Sequence, residues 1–328
     1  MDIHYIIFGQ LTREYLLPAT GRPRLDAPGG SLLYAAAGMG VWESGVGLVG
    51  RVGNDYPRAW LNDVKLRNFD TTGIHILPHD IDVRDFIAYN ESFEANRVNP
   101  VSHFARREMT FPKSLLGYQP DKKADEDLKL TVKDISDDYL NARAAYLCPM
   151  DLVTQTQLIA GLKRGLVHSF ILDPAPDFMI PASRRNLPAL LNGVTAFLPS
   201  EAEIRNLFQS ETHDLWEMAE AVSLYGCDFV VIKRGKDGQY LFNAATKEKW
   251  EIPAYTARIE DLTGAGDTFG GGFTAGYCKN YDPLEAVLYG NVSASLNLEG
   301  SGAFHPLDVM PGLADARLSA LRDMVRKV

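Results

Sequence analysis

Short apolar segments alternate with longer amphipathic segments along most of this chain, and this alternation strongly limits the folds it can adopt. The apolar segments lie at residues 4–9, 46–50, 144–150, 169–174, 195–200 and 229–235. The helical patterns lie at residues 31–42, 58–69, 151–165, 201–208 and 214–226. Strands that alternate with helices predict an α/β fold: a doubly wound, mostly parallel sheet with helices on both faces. Ligands of such sheets bind beyond the carboxyl ends of the strands.

Two segments, 11–30 and 75–114, interrupt the alternation with prolines and β-branched stretches and show no helical period. Loops longer than about 12–15 residues in a compact domain usually have a function. We therefore predict a small β-sheet lid built from these two insertions in a single domain spanning residues 1–328; ordinary surface loops are the alternative. The charged segment 117–130 is predicted to be a solvated linker or the start of a helix.

Composition excludes several classes of protein. Of the 328 residues, 46% are hydrophobic and 23% are charged, with a net charge of -9, which argues against a nucleic-acid partner. No segment approaches the ~18–20 apolar residues that span a bilayer, so we expect no membrane partner. The first fifteen residues do not resemble a signal peptide. The cysteines Cys148, Cys227 and Cys278 lack metal-like spacing, and we expect a reduced, cytoplasmic location.

The segment "EDLTGAGDTFGGGFTAG" at 260–276 concentrates six glycines between a predicted strand at 250–260 and a helical pattern. Glycine inside regular structure costs roughly 0.5–1 kcal/mol relative to alanine, so such a cluster needs a physical reason. A glycine turn that opens a helix presents free N–H groups to an anion. Asp267 at the helix start could accept a proton there. Alternatively, Asp267 caps the helix and the glycines allow close packing.

The motif "DLTGAGDTFGGGF" resembles the second signature of the ribokinase-like (phosphofructokinase B type) carbohydrate kinases, although Leu262 replaces a common threonine. The resemblance implies an ATP-dependent phosphotransferase that acts on an alcohol group of a sugar or nucleoside. It also implies that Asp267 is the general base and that Gly264, Ala265 and Gly266 form an anion hole. Similarity to the family extends over nearly the whole chain and is weakest at about 90–130.

The same resemblance implies a set of substrate-binding residues near the N-terminus. Glu14 stands where the family usually has aspartate, and Gly29 and Gly30 match its double-glycine signature. Tyr34 replaces the usual asparagine, and its aromatic ring could stack on a nucleobase or a hydrophobic substituent, which favours nucleosides or modified sugars over plain ribose, or it could only change a packing contact. On the residues alone, Glu14 could instead be an exposed acid, and the glycines could form a turn before a helix capped by Ser31.

Two cations follow from the resemblance. Glu203 matches the family's acid that acts through water on Mg²⁺, although Ser200 and Glu203 also form a capping-box pattern that could serve the helix alone. Asp261 and Thr263 match positions near a K⁺ site of many members. A role for Asp261 and Thr263 in stabilising the turn is equally compatible with the sequence.

The nucleotide-binding residues implied by the resemblance lie in the last third of the chain. Lys233, which replaces a common threonine, is followed by the turn residues Gly235 and Gly238. Asn291 and Gly302 lie in the helix and loop that border the adenine site in the family.

Further hypotheses concern partners and loss of activity. Family members commonly dimerise through the lid, which suggests a homodimer. The basic residues Arg97, His103, Arg106 and Arg107 could close over an anionic ligand or only protect a solvated edge. The departures at Tyr34, Ser200 and Lys233 motivate an alternative: a catalytically weak homologue that regulates or binds other molecules.

Overall fold

The computed structural model describes residues 2–120, 126–209 and 211–328 of the chain. The β-strands of these residues are β1 (Tyr5–Phe8), β2 (Thr12–Leu17), β3 (Arg24–Gly29), β4 (Val46–Val52), β5 (Phe69–Ile76), β6 (Arg84–Tyr89), β7 (Ala95–Asn96), β8 (Ala144–Leu147), β9 (Ser169–Leu172), β10 (Ala196–Phe197), β11 (Phe229–Lys233), β12 (Gln239–Asn243), β13 (Lys249–Ile252) and β14 (Arg326–Lys327). The α-helices are α1 (Ser31–Gly40), α2 (Arg58–Leu66), α3 (Pro100–Arg106), α4 (Leu152–Leu162), α5 (Leu187–Leu191), α6 (Glu201–Phe208), α7 (Leu215–Ser223), α8 (Ala265–Asn280), α9 (Pro283–Leu298) and α10 (Leu313–Arg322).

Within the described residues the larger sheet has the strand order β14-β13-β12-β11-β10-β9-β8-β1-β4-β5. The strands from β11 to β5 in this order pair in parallel, whereas β12, β13 and β14 extend the sheet in antiparallel pairs. Strand β1 lies between β8 and β4, and its four residues are all buried. Such continuous apolar strands are typical of parallel sheets that are covered on both faces.

Helices cover both faces of this sheet. Residues of α1, α2, α8, α9 and α10 pack in one hydrophobic core, and residues of α4, α5, α6 and α7 pack in the other. Alternate residues of β1 enter opposite cores: Ile7 joins the first core, and Ile6 and Phe8 join the second. The predicted doubly wound α/β fold is therefore confirmed. In the described part of the chain, no helix combines the length and apolar character needed to cross a bilayer.

A second, smaller sheet, called the cover below, has the order β3-β2-β6-β7. Its strands come from the two segments that interrupt the alternation, and β2 pairs in parallel with β6. The cover has a core of its own, in which Phe86 of β6 packs near Phe104 of α3 with ring centroids 6.0 Å apart. The additional small sheet of the fold prediction is thus present.

The structure corrects three local predictions. Segment 75–114 contains helix α3, which the sequence pattern missed because only Phe104 of this short helix is buried. The helix predicted at 58–69 ends at Leu66, because Phe69 already begins β5. Strand β5 belongs to the larger sheet and extends to Ile76, inside the segment 75–114 that was predicted to form the lid. Residues 253–260 are not a strand. The predicted linker at 117–130 includes residues 121–125, which lie outside the described residues.

Candidate active site

The glycine turn opens α8 at the edge of the sheet where the parallel strands end. Gly264 is the N-cap residue, with a left-handed backbone (φ 72°) that glycine adopts without strain. A Cβ on Gly264 would overlap the ring of Tyr34, so no side chain fits between this turn and that ring. The first N–H groups of the helix lie at the positive end of its dipole and can bind an anion.

The glycines further along α8 serve a different purpose. A Cβ on Gly270 would overlap the ring of Tyr146, and one on Gly271 would overlap the carbonyl oxygen of Ala35 in α1. These glycines allow α8 to pack closely on β8 and on α1. Close packing therefore explains the second half of the glycine cluster, and the anion-binding geometry concerns only its first half.

Asp267 is the third residue of α8, and Gly264 takes the N-cap position. Burial of the carboxyl group, reinforced by the nearby charge of Asp173, raises the pKa of Asp267 to about 7. The ammonium group of Lys233 opposes this rise, and the carboxylate of Glu203 adds to it. A carboxyl group with a pKa near neutrality can take up and release a proton under physiological conditions.

Lys233 and Asp173 form an ion pair beside Asp267. Asp173 follows β9 and is 2% exposed; its Oδ2 accepts hydrogen bonds from the Lys233 ammonium group and from the Tyr146 hydroxyl, the latter at 3.2 Å. Burial raises the pKa of Asp173 to about 6, although Lys233 acts in the opposite direction. The carboxyl ends of β9, β10 and β11 and the start of α8 therefore bring Asp173, Glu203, Lys233 and Asp267 into one charged cluster.

A cavity of about 350 Å³ extends from this cluster along α8. Tyr255, Leu262 and Phe269 are among the side chains of its mostly apolar walls, and Lys233 and Gly266 also line it. The irregular segment 253–260, which was predicted to be a strand, supplies part of the lining. Such a cavity can hold a flat aromatic group between apolar walls while a charged tail extends to the glycine turn.

The predicted nucleotide residues divide into two groups. Lys233 and Gly235 line the cavity. Gly238 is packed against the end of β13, and Gly302 against the Arg24 side chain of the cover. Asn291 is buried, and its amide donates to Gln239 Oε1 at 2.7 Å and to the Pro253 carbonyl oxygen at 2.8 Å. Gly238 and Asn291 therefore support the walls of the cavity from behind, whereas Gly302 contacts the cover.

Glu203 takes part in a complete capping box at the start of α6. Its Oε2 accepts from the Ser200 backbone N–H at 2.7 Å, and the Ser200 hydroxyl accepts from the Glu203 N–H at 3.2 Å. In the described residues no group of three or more His, Cys, Asp or Glu side chains could hold a metal ion. Magnesium usually keeps several waters and needs few protein ligands, so the partly exposed Glu203 carboxylate fits a water-mediated contact.

Glu14 lies in strand β2 and is only 2% exposed. One of its carboxylate oxygens accepts from the Gly30 N–H at 3.0 Å and the other from the Tyr34 hydroxyl at 2.9 Å. Burial raises the pKa of Glu14 to about 8 in spite of these two donors. Its carboxyl group lies directly against Gly29, where a Cβ would overlap it. The four predicted substrate residues therefore form one buried cluster that reaches the glycine turn through the Tyr34 ring.

Asp261 and Thr263 stabilise the loop that precedes the glycine turn. Asp261 Oδ1 accepts from the Thr263 N–H at 2.9 Å, and Oδ2 accepts from the Ser301 hydroxyl at 2.6 Å. The Thr263 carbonyl oxygen accepts from the Asn297 amide at 2.8 Å. A hydrogen bond of 3.1 Å joins the Thr263 hydroxyl to that of Tyr89 in the cover. The cover is thus hydrogen-bonded to the loop that precedes the glycine turn.

The basic residues of the cover do not act as one group. Arg97 is paired with Asp85, and Arg107 donates to three carbonyl oxygens, among them that of Pro18 at 2.7 Å. His103 and the exposed Arg106 line, together with Arg107, a cavity of about 580 Å³ in the cover. The cavity along α8 has a different lining.

Sequence reasoning missed Asp173, Tyr89 and the apolar lining of the cavity. Asp173 could have been found from its position, since it directly follows an apolar strand at the edge where ligands bind. Tyr89 and Tyr255 carry no comparable signal, because only the tertiary fold brings them to the site.

Residues 126–310, which are more than half of the chain, match the family model of the pfkB family carbohydrate kinases. The chain belongs to the pfkB carbohydrate kinase family. The recognition based on the glycine motif and the assignment as a kinase are confirmed. A cytidine kinase of Thermococcus kodakarensis is 26% identical to this pfkB family kinase over 287 residues, which cover 87% of the chain and 92% of that protein.

Solved structures also resemble this pfkB family kinase. A putative ribokinase II from E. coli, in complex with ATP and Mg²⁺, superimposes with a TM-score of 0.74 at 18% identity. The match covers 97% of this chain and 99% of the E. coli chain. The nucleoside kinase of Burkholderia thailandensis, in complex with inosine, has a TM-score of 0.69 at 17% identity, with coverage of 97% and 98%. At these identities the similarity establishes the fold.

Proposed function

We propose that this kinase transfers the γ-phosphoryl group of ATP to an alcohol group of a sugar or nucleoside, with Asp267 as general base and the Gly264–Ala265–Gly266 turn as anion hole. The observation that carries the proposal is the position of Asp267. Its carboxyl group, with a pKa of about 7, stands in the first turn of α8, three residues after the left-handed Gly264 and next to Gly266, which lines the cavity of about 350 Å³.

In the proposed step, the acceptor hydroxyl gives its proton to the Asp267 carboxylate. The acceptor oxygen then forms a bond to the γ-phosphorus, while the bond between the γ-phosphorus and the β,γ-bridging oxygen breaks. The electron pair of that broken bond stays with ADP. The turn amides stabilise the negative charge of the phosphoryl group in transit, and the protein has to supply little other chemistry.

Two cations belong to the proposal. Mg²⁺ neutralises phosphate charge when it is bound, and Glu203 would hold it through water. K⁺ would bind near Asp261 and Thr263, whose oxygens already accept internal hydrogen bonds. A cation there must therefore add to those bonds or displace the Ser301 hydroxyl, and comparing turnover in KCl with turnover in choline chloride tests this site.

For the acceptor we propose the space between the Gly29–Gly30 turn and Asp267. Glu14 and Tyr34 already form hydrogen bonds within their own buried cluster. Either side chain would therefore have to give up one of these hydrogen bonds to bind the phosphate-accepting substrate. The relative that acts on cytidine and the neighbour that binds inosine support nucleosides as the first acceptors to test. Ribose and fructose complete the panel of acceptors to test.

A homodimer through the cover is also part of the proposal. Light scattering after size-exclusion chromatography tests it.

The test is ADP release from ATP, Mg²⁺ and each acceptor, measured for the wild type, Asp267→Asn and Asp315→Asn. Asp315 is a matched control because it is the exposed third residue of another helix, α10. Loss of the base should reduce kcat by about 10²–10⁴-fold without unfolding the protein. An active Asp267→Asn protein would contradict the assigned base. Absence of ADP release from the wild type with every acceptor would favour the alternative of a weak homologue, which none of these findings favours.

A further inference from the structure

Lys233 occupies a position from which it can reach the reacting phosphoryl group. It is the last residue of β11, its side chain is 15% exposed, and it lines the same cavity as Gly266. A methyl group built on Gly266 would lie 3.5 Å from the Lys233 Nζ atom. The ammonium group therefore lies next to the helix start that is proposed to hold the phosphoryl group.

We propose that Lys233 is a catalytic residue: its ammonium group is held by Asp173 before the reaction and contacts the oxygens of the phosphoryl group during transfer. This inference rests on the proposed function, since it assumes that the phosphoryl group passes over the Gly264–Gly266 turn. The resemblance to the family implies only nucleotide binding for Lys233, at a position where threonine is common.

The charges around the turn explain why a cation is needed there. Asp173, Glu203 and Asp267 surround Lys233, and the negative charges of Asp173 and Glu203 both raise the pKa of Asp267. Three carboxyl groups would repel an arriving triphosphate. An ammonium group between them offsets this repulsion and can attract the phosphoryl oxygens.

Asp173 can release the lysine at moderate cost. Its Oδ2 keeps the hydrogen bond from the Tyr146 hydroxyl when the ammonium group moves. Its carboxyl group has a pKa of about 6 and can also take up a proton instead of remaining as an unpaired buried charge. Lysine suits this exchange because its compact charge sits on a flexible stem.

The competing explanation is that Lys233 only compensates the buried charge of Asp173. Removing one member of a buried ion pair destabilises a protein, whereas replacing both members is often tolerated. The two explanations therefore predict different activities for variants that lack Asp173. In such variants Lys233 has no buried charge to compensate, but a catalytic Lys233 would still be needed for transfer.

The experiment compares Asp173→Asn with the double variant Asp173→Asn/Lys233→Met. Steady-state kinetics are measured with ATP, Mg²⁺ and the best acceptor among cytidine, inosine, ribose and fructose. We expect kcat of the double variant to fall about 10²-fold below that of Asp173→Asn, the size typical for loss of one stabilising donor, while KM for ATP changes less than about fivefold. Lys233→Arg in the wild type should retain part of kcat. Lys279→Met, which removes an exposed lysine at the opposite end of α8, is the matched control and should not change kcat.

Equal kcat values for the double variant and Asp173→Asn would overturn the catalytic role, and the proposed function would stand. If Asp173→Asn is itself inactive, Lys233→Met is compared with the wild type; an unchanged kcat overturns the role, and a loss of kcat with an unchanged thermal midpoint supports it. A wild type that releases no ADP with any acceptor refutes the proposed function and, with it, this inference.

Discussion

Replacing Glu14 by glutamine should change how the stability of the protein depends on pH. The Glu14 carboxyl group is 2% exposed, and burial raises its pKa from 4.5 to about 8. The folded protein therefore holds about one more proton at this site than the unfolded chain between these two pH values. The contribution of Glu14 to stability is fully present below about pH 4.5 and is lost as the pH rises through about 8.

The magnitude follows from the size of this pKa change. One pKa unit corresponds to about 1.4 kcal/mol, so between pH 5 and pH 8 the free energy of unfolding should fall by about 4 kcal/mol through Glu14 alone. Glutamine does not titrate, and its amide can still accept from the Gly30 N–H and donate to the Tyr34 oxygen. The free energy of unfolding of Glu14→Gln should therefore decline less steeply over this range.

Urea denaturation of the wild type and of Glu14→Gln at pH 5, 6, 7 and 8 measures the difference directly, because the other titrating groups contribute equally to both proteins. Glu91→Gln, at an exposed position of the cover, is the control and should follow the wild type. A difference between wild type and Glu14→Gln that stays constant from pH 5 to pH 8 would refute the reasoning, since Glu14 would then titrate equally in the folded and unfolded states.

Three further predictions concern Asp267, the glycine turn and the Tyr34 side chain that packs against it. At saturating substrates, kcat should decrease as the pH falls through about 7, because Asp267 must be ionised to accept a proton; a flat profile from pH 5.5 to 8 would contradict this. Gly264→Ala should lower the free energy of unfolding in urea by about 1–3 kcal/mol more than the control Gly117→Ala does. Both glycines have φ near 73°, but a Cβ on Gly264 would meet the Tyr34 ring, whereas one on Gly117 would meet no other group of the described residues. Tyr34→Phe removes one hydrogen-bond donor from the buried Glu14 carboxylate. It should therefore lower the free energy of unfolding by about 1–3 kcal/mol at pH 9 and by less at pH 5. Urea unfolding at the two pH values measures this difference.

The sequence by itself determined the fold class and the glycine turn that opens α8. The alternation of apolar strands and amphipathic helices depends only on local spacing, and a parallel sheet with helices on both faces is the arrangement that buries both patterns. The glycines at 264 and 266 and the acid at 267 are likewise contiguous in the chain. A turn, a helix start and an acid within four residues are a local feature, which sequence analysis can recognise.

Only the tertiary structure decided which distant groups surround that turn. Asp173 and Lys233 are 60 residues apart and meet because β9 and β11 end at the same edge of the sheet. On the residues alone Glu14 could have been an exposed acid, yet the fold packs it against Gly29 and Tyr34. Burial and the charges of distant residues set the pKa of each carboxyl group, and neither quantity is encoded in the neighbouring residues of the sequence.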